Sequence, residues 1–208
     1  ATLGHAEAKQ PLTPEQRKGI VDFETDLFAA QIFDRDAGLL TYAVRGGPTA
    51  LSKQTFYFGI NDTLEGDYRS RVPFTPTSMT LFDAWNDAQL DPTIADPQLA
   101  ARTAAARSAV ARGQKLFDSK PIQIRGVNGL NDDLNLATIP GTCTTCHDTP
   151  NAGNHSVKAP LDIGVADESR RTPDMPLYTL RRLSDGVTVR TTDPGRAMIT
   201  GKWADIGK

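Results

Sequence analysis

Five consecutive residues, Cys143-Thr144-Thr145-Cys146-His147, restrict this 208-residue chain more than any other stretch. Two thiols separated by two residues reach the same edge of a porphyrin and add across its two vinyl groups. An imidazole placed directly after the second thiol swings under the ring and meets the iron. A zinc site needs further ligands of the same class, and the chain contains only these two cysteines. A redox dithiol belongs at the strand-to-helix junction of a βαβ unit, and no such pattern surrounds residue 143. The pentapeptide therefore predicts covalent attachment of one haem c. Cys143 and Cys146 are the thioether anchors and His147 the proximal iron ligand.

The rest of the composition sets the compartment and the partners. With both cysteines taken by haem, none is left for a disulfide. Covalent haem c is assembled outside the bacterial cytoplasm, so a periplasmic or otherwise exported protein is expected. The numbering is then expected to start at a processed or trimmed end, since no leader reads at Ala1. Net charge is −2 with no basic stripe, which argues against nucleic acid as a partner. No apolar run approaches the ~20 residues of a membrane span. Seventeen glycines and 14 prolines predict long irregular segments.

Two helices announce themselves. Thr13 as cap, Pro14 at the first helical position and Gln16 three residues after the cap predict a helix of about five turns ending near Phe33 to Gly38. Asp96-Pro97 opens a second, Ala-rich helix whose apolar line is Leu99, Thr103, Ala106, Val110, Gly113 and Phe117. Gly113 in mid-helix reads either as a tolerated defect or as a close crossing with another backbone. Between the helices, residues 38–95 read as an irregular wrapping connector. It contains an aromatic run, Thr55-Phe56-Tyr57-Phe58, and a short helix within 78–87. Asn131-Asp132-Asp133-Leu134-Asn135 offers oxygens for calcium but lacks the spacing of a calcium loop, so a solvated turn is the preferred reading. Asp185-Gly186 between Tyr178–Leu183 and Val187–Thr192 predicts a β-hairpin.

Arg112-Gly113-Gln114-Lys115-Leu116-Phe117 followed by the haem motif resembles the first helix and haem site of a class I cytochrome c. The long gap to Cys143, with Pro121 and Gly126-Val-Asn-Gly-Leu-Asn131, and Cys146-His-Asp-Thr-Pro-Asn-Ala-Gly-Asn-His155 resemble the second haem domain of the bacterial di-haem cytochrome c peroxidase superfamily, which includes the MauG-like proteins. The resemblance covers residues 97–208 well and 1–37 loosely. It implies a mainly α fold: a class I cytochrome c-like domain over 96–208, with long loops, a small β-hairpin and an N-terminal helical arm, preceded by a helix and connector over 1–95. The chain carries one haem motif where that family has two, and it ends without a closing helix. A fragment of a longer protein is therefore expected, or a fold completed by a second haem domain or chain.

The function implied is single-electron transfer through His147-ligated haem, with a redox partner protein. The alternative is a hydrogen peroxide-reducing di-haem enzyme, or fragment of one, with an open distal site. The far side of the iron decides between them. Candidates for the sixth ligand are Met175, in the Pro173-Asp-Met-Pro176 loop, Met198, His155, His5, or a group outside the chain. No distal acid–base residue stands out among Glu7, Glu24, Glu65 and Glu168. Arg107, Arg112, Arg125, Arg170, Arg171 and Arg181 are available to the propionates.

Overall fold

A computed structural model describes residues 9–26, 31–51, 53–55, 57, 59–148 and 157–208. Its regular elements are α1 (Pro14–Asp26), β1 (Phe33–Asp34), β2 (Gly38–Leu39), α2 (Pro48–Leu51), α3 (Pro97–Ser119), β3 (Ile122–Ile124), β4 (Ile139–Gly141), β5 (Tyr178–Arg181), β6 (Thr188–Thr191) and α4 (Ala197–Thr200). The strands pair as β1–β2, β3–β4 and β5–β6, and short 3-10 turns punctuate the connections. The expectation of a mainly α, class I cytochrome c-like fold is overturned. Among the described residues helix accounts for 29% and strand for 12%, in four helices and small antiparallel sheets. Among the described residues only α1 and α3 are longer than four residues, because glycine and proline interrupt nearly every other stretch.

The chain divides into two compact units, each discontinuous in sequence: residues 22–122 with 141–158, and residues 1–21 with 123–140 and 159–208. The first is built on α3. Asp96 caps it, accepting from the Gln98 N–H at 2.8 Å, and Pro97 supplies the pre-set first turn. The buried stripe is Ala100, Thr103, Ala104, Arg107, Ala111 and Asp118, rotated by about one residue from the expected apolar line. Small side chains face inward because large ones come from the other side. Trp85, Ala37 and Ala111 form the centre, with Leu40, Tyr42, Val44 and Phe82 packed around them. The Trp85 indole N–H donates to the Tyr42 carbonyl at 2.9 Å, so its one polar atom is satisfied in the core.

Gly113 is exposed, and a Cβ built there meets nothing within 4 Å. The structure shows no close crossing at this position among the described residues. Gly113→Ala should therefore raise stability by about 1 kcal/mol through helix propensity alone, measurable as a higher urea midpoint.

Helix α1 begins as expected. The Thr13 N–H donates to Gln16 Oε1 at 3.0 Å and the Gln16 N–H to Thr13 Oγ1 at 3.2 Å. The helix does not run to Phe33. Phe33–Asp34 is strand β1, and Asp34 accepts from the Asp36 and Ala37 N–H groups, folding the chain back into β2. Those backbone donors, Ala37 first, hold the Asp34 carboxyl below its usual range. The short helix expected within 78–87 shrinks to one 3-10 turn, Asp83–Trp85. In the aromatic run, Thr55 and Tyr57 are irregular, while Phe56 and Phe58 lie outside the described residues.

The second unit is held by loops. Asn131 is buried and uses its whole amide: Oδ1 accepts from Val127, and Nδ2 donates to the Ile124 and Leu136 carbonyls. Asp132 accepts from the Gly129 N–H at 2.5 Å. This stretch, weighed above as a calcium ligand set, thus spends those side-chain oxygens on its own backbone. The hairpin at Asp185-Gly186 forms in the register Tyr178↔Thr191 to Arg181↔Thr188. Arg182 closes its turn with a two-pronged ion pair to Asp185. Among the described residues no helix is long and apolar enough to cross a membrane.

Candidate functional site

Cys143–Thr145 is a single 3-10 turn, and α3 packs against it. The turn is closed by its own backbone. The Cys143 carbonyl accepts from both the Cys146 and His147 N–H groups, at 3.2 and 3.1 Å. Both thiols are free and half-buried. Burial, and after it the neighbouring Cys143, push the Cys146 thiol up. The half-buried imidazole of His147 meets the ring of Phe117 on α3, with centroids 5.8 Å apart and planes at 57°. Two cysteine sulfurs and one imidazole are therefore delivered by one hydrogen-bonded turn, which suits haem c as a donor set.

Threonines hold the turn in place. The Thr142 N–H donates to Thr145 Oγ1 at 3.0 Å. The Thr144 side chain is 0% exposed and its hydroxyl donates to the Pro76 carbonyl at 2.7 Å. A hydroxyl has one proton, so in the 2.7 Å contact between Thr142 and Thr144 the donor must be Thr142. Pro76 begins a strap that lies along α3. The Met79 N–H donates to Asp118 Oδ1 at 3.2 Å and the Phe82 N–H to Gln114 Oε1 at 2.8 Å. Gln114 then donates from Nε2 to Asp83 at 2.7 Å.

Asp118 is buried beside the strap. Burial first, then the charge of Asp83, raise its carboxyl above the usual range against the opposing hydrogen bond from Met79. A pKa raised in the folded state means that ionisation costs stability. The contribution is complete at pH below the unfolded-state value of 3.8 and is lost as pH rises through the folded-state value. Asp118→Asn keeps an acceptor for Met79 and removes the charge. The variant should melt higher than the parent at pH 7, with the two melting curves converging toward pH 4.

The chain leaving the turn is caught again downstream. The Lys158 N–H donates to Asp62 Oδ2 at 3.0 Å, and its ammonium pairs with Glu65 at 2.5 Å. Asp62 also accepts from the Leu64 and Glu65 N–H groups, which folds residues 62–66 into the receiving turn. A second acidic turn follows. Burial pushes the Asp67 carboxyl up, but hydrogen bonds from Tyr57, Ser70 and Arg69 outweigh it and bring Asp67 to about 2; the same contact takes Tyr57 to about 12.

Of the other sequence candidates, Met175 is half-buried in the loop closed by its N–H to the Thr172 carbonyl, and Met198 is exposed on α4. Both belong to the unit that does not carry Cys143–His147. His5 and His155 lie outside the described residues. Arg107 is buried in the core, donating to the Ala37 carbonyl and to Asp91. The sequence reading missed the strap and Thr144, because contacts between residues 68 apart leave no periodic trace. The clue that was available is the hydroxyl at all three positions 142, 144 and 145. Comparison with family models, with curated proteins and with solved structures found no match.

Proposed function

We propose that this chain binds one haem c covalently through Cys143 and Cys146, with His147 as proximal iron ligand, and serves in single-electron transfer. The observation that carries the proposal is the Cys143–His147 turn itself, which sets two cysteines and the histidine on one turn while the hydroxyls of Thr142, Thr144 and Thr145 are hydrogen-bonded around it. When bound, haem supplies a one-electron iron couple whose potential follows the axial ligands and the burial of the pocket. The protein's part is to hold the two sulfurs at one macrocycle edge and to orient the imidazole through Phe117 and the backbone of the turn. The proposed setting is the exported electron-entry domain of a di-haem peroxidase-like protein, working with a redox partner.

The experiment is expression alongside a haem c maturation system, followed by intact mass under denaturing conditions. One haem above the polypeptide mass is the expected result. An unmodified polypeptide would remove the proposal, and two haems would contradict the single motif. The oxidised spectrum then separates carrier from catalyst. The weak red band of a methionine sulfur on the iron supports electron transfer, whereas a high-spin charge-transfer band points to the peroxide-reducing alternative.

A further inference from the structure

We infer that Thr144 is a positioning residue for the haem turn, and that it works by locking the turn to the 76–83 strap, which α3 holds in turn through Asp118 and Gln114. The inference rests on the haem reading for its consequence, but the lock is a property of the polypeptide.

Three observations carry it. Thr144 occupies the spacer between the two cysteines, where a side chain need only stay clear of the porphyrin, yet it is fully buried. Its hydroxyl makes two contacts of 2.7 Å, accepting from Thr142 and donating to the Pro76 carbonyl. The strap it grips is itself registered on α3 at two points one helical turn apart, Met79 on Asp118 and Phe82 on Gln114. Phe117, one residue from Asp118, touches the His147 ring. The strap, the helix and the turn therefore close a loop of contacts. A shift at any one member moves the others, and the cysteine sulfurs and imidazole are the members that carry chemistry. A fully buried hydroxyl that donates to a carbonyl 68 residues away costs more to remove than a surface one, because its bond is shielded from water.

The test uses the full chain in its reduced, haem-free form and in its haem-loaded form. Thr144→Val keeps the shape and removes the hydroxyl, while Thr144→Ser keeps the hydroxyl and removes the methyl group. In the haem-free chain, alkylation of Cys143 and Cys146 should be about tenfold faster in the Val variant and near parental in the Ser variant. Asp118→Ala, which releases the strap at its far end, should also speed alkylation. In the haem-loaded chain the Val variant should shift the midpoint potential and the Ser variant should restore it. Parental alkylation rates in both Val and Asp118→Ala overturn the inference, as does a Ser variant that behaves like Val. If the Val variant does not fold, the Asp118→Ala rates decide alone: faster supports the lock and unchanged overturns it. A chain that shows the acceleration but never takes haem keeps the lock and removes the haem reading. A chain that takes haem but shows no acceleration does the reverse.

Discussion

Arg107→Met should be the most destabilising single change in the unit built on α3, lowering stability by about 3–5 kcal/mol. The guanidinium is 4% exposed. Its Nε donates to the Ala37 carbonyl at 3.0 Å and its Nη2 pairs with Asp91 at 3.1 Å. It stacks 4.1 Å over the Tyr42 ring and 5.6 Å from Trp85, and Nη1 meets no acceptor among the described residues. The Tyr42 ring face gives the guanidinium a cation–π contact in addition to these bonds. Methionine would fill similar space but leave the Ala37 carbonyl without its donor and Asp91 without its cation. The Asp91 carboxyl sits below its usual range through the Thr93 hydroxyl first, then the Thr93 N–H and Arg107. A carboxylate lowered in the folded state contributes stability that is present above its unfolded-state value and lost as pH falls through the folded one. The parent should thus lose this contribution in acid, and Arg107→Met should lose less, since part of the lowering has gone. Chemical denaturation at pH 7 and at a pH well below the unfolded-state value of 3.8 measures both. A loss below about 1 kcal/mol at pH 7 would mean that the pair breaks even against a well-packed apolar side chain. Arg107→Lys should recover little, because an ammonium cannot bridge two acceptors while stacking on Tyr42.

That core also shows how far local pattern reaches. The limits of α3 were readable, because Asp96-Pro97 and the alanine run act within one turn of themselves. Its inward face was readable in part. Thr103 is buried and Ala106 and Val110 pack against the Trp85 cluster, as the apolar line predicts, whereas Leu99 is exposed and the most buried positions are alanines and Arg107, which an apolar count does not favour. A helix facing an indole needs small residues, and small residues score weakly as hydrophobic. The extension of α1 failed for a similar reason. Periodicity ran on through Phe33, but Asp34 accepts two backbone N–H groups and reverses the chain there. The mainly α expectation rested on a resemblance whose most specific part is five residues long. Such a motif specifies chemistry at one turn and places little demand on the architecture that carries it. The strap over α3 was illegible because its contacts are between backbone groups and side chains 32 and 39 residues away.

Removing both sulfurs from the turn should abolish covalent haem altogether, the largest functional effect predicted for this chain. In Cys143→Ala/Cys146→Ala no thioether can form, so haem staining of a denaturing gel and the haem mass increment should both vanish. Each single variant keeps one sulfur. Haem joined through one sulfur retains one vinyl group conjugated to the ring, so its reduced bands should lie to the red of the parent's. His147→Ala leaves both sulfurs and removes the imidazole that stands 5.8 Å from Phe117. Any haem it carries should lose the low-spin spectrum, and added imidazole should restore it. The order of effects discriminates between readings. A zinc or dithiol role for the same residues makes Cys143, Cys146 and His147 equivalent, or makes His147 dispensable. The haem role separates them, with sulfur deciding covalent attachment and nitrogen deciding the spin state of the iron. Retention of denaturant-stable haem by the double alanine variant would place the attachment elsewhere, and this chain offers no other cysteine for it.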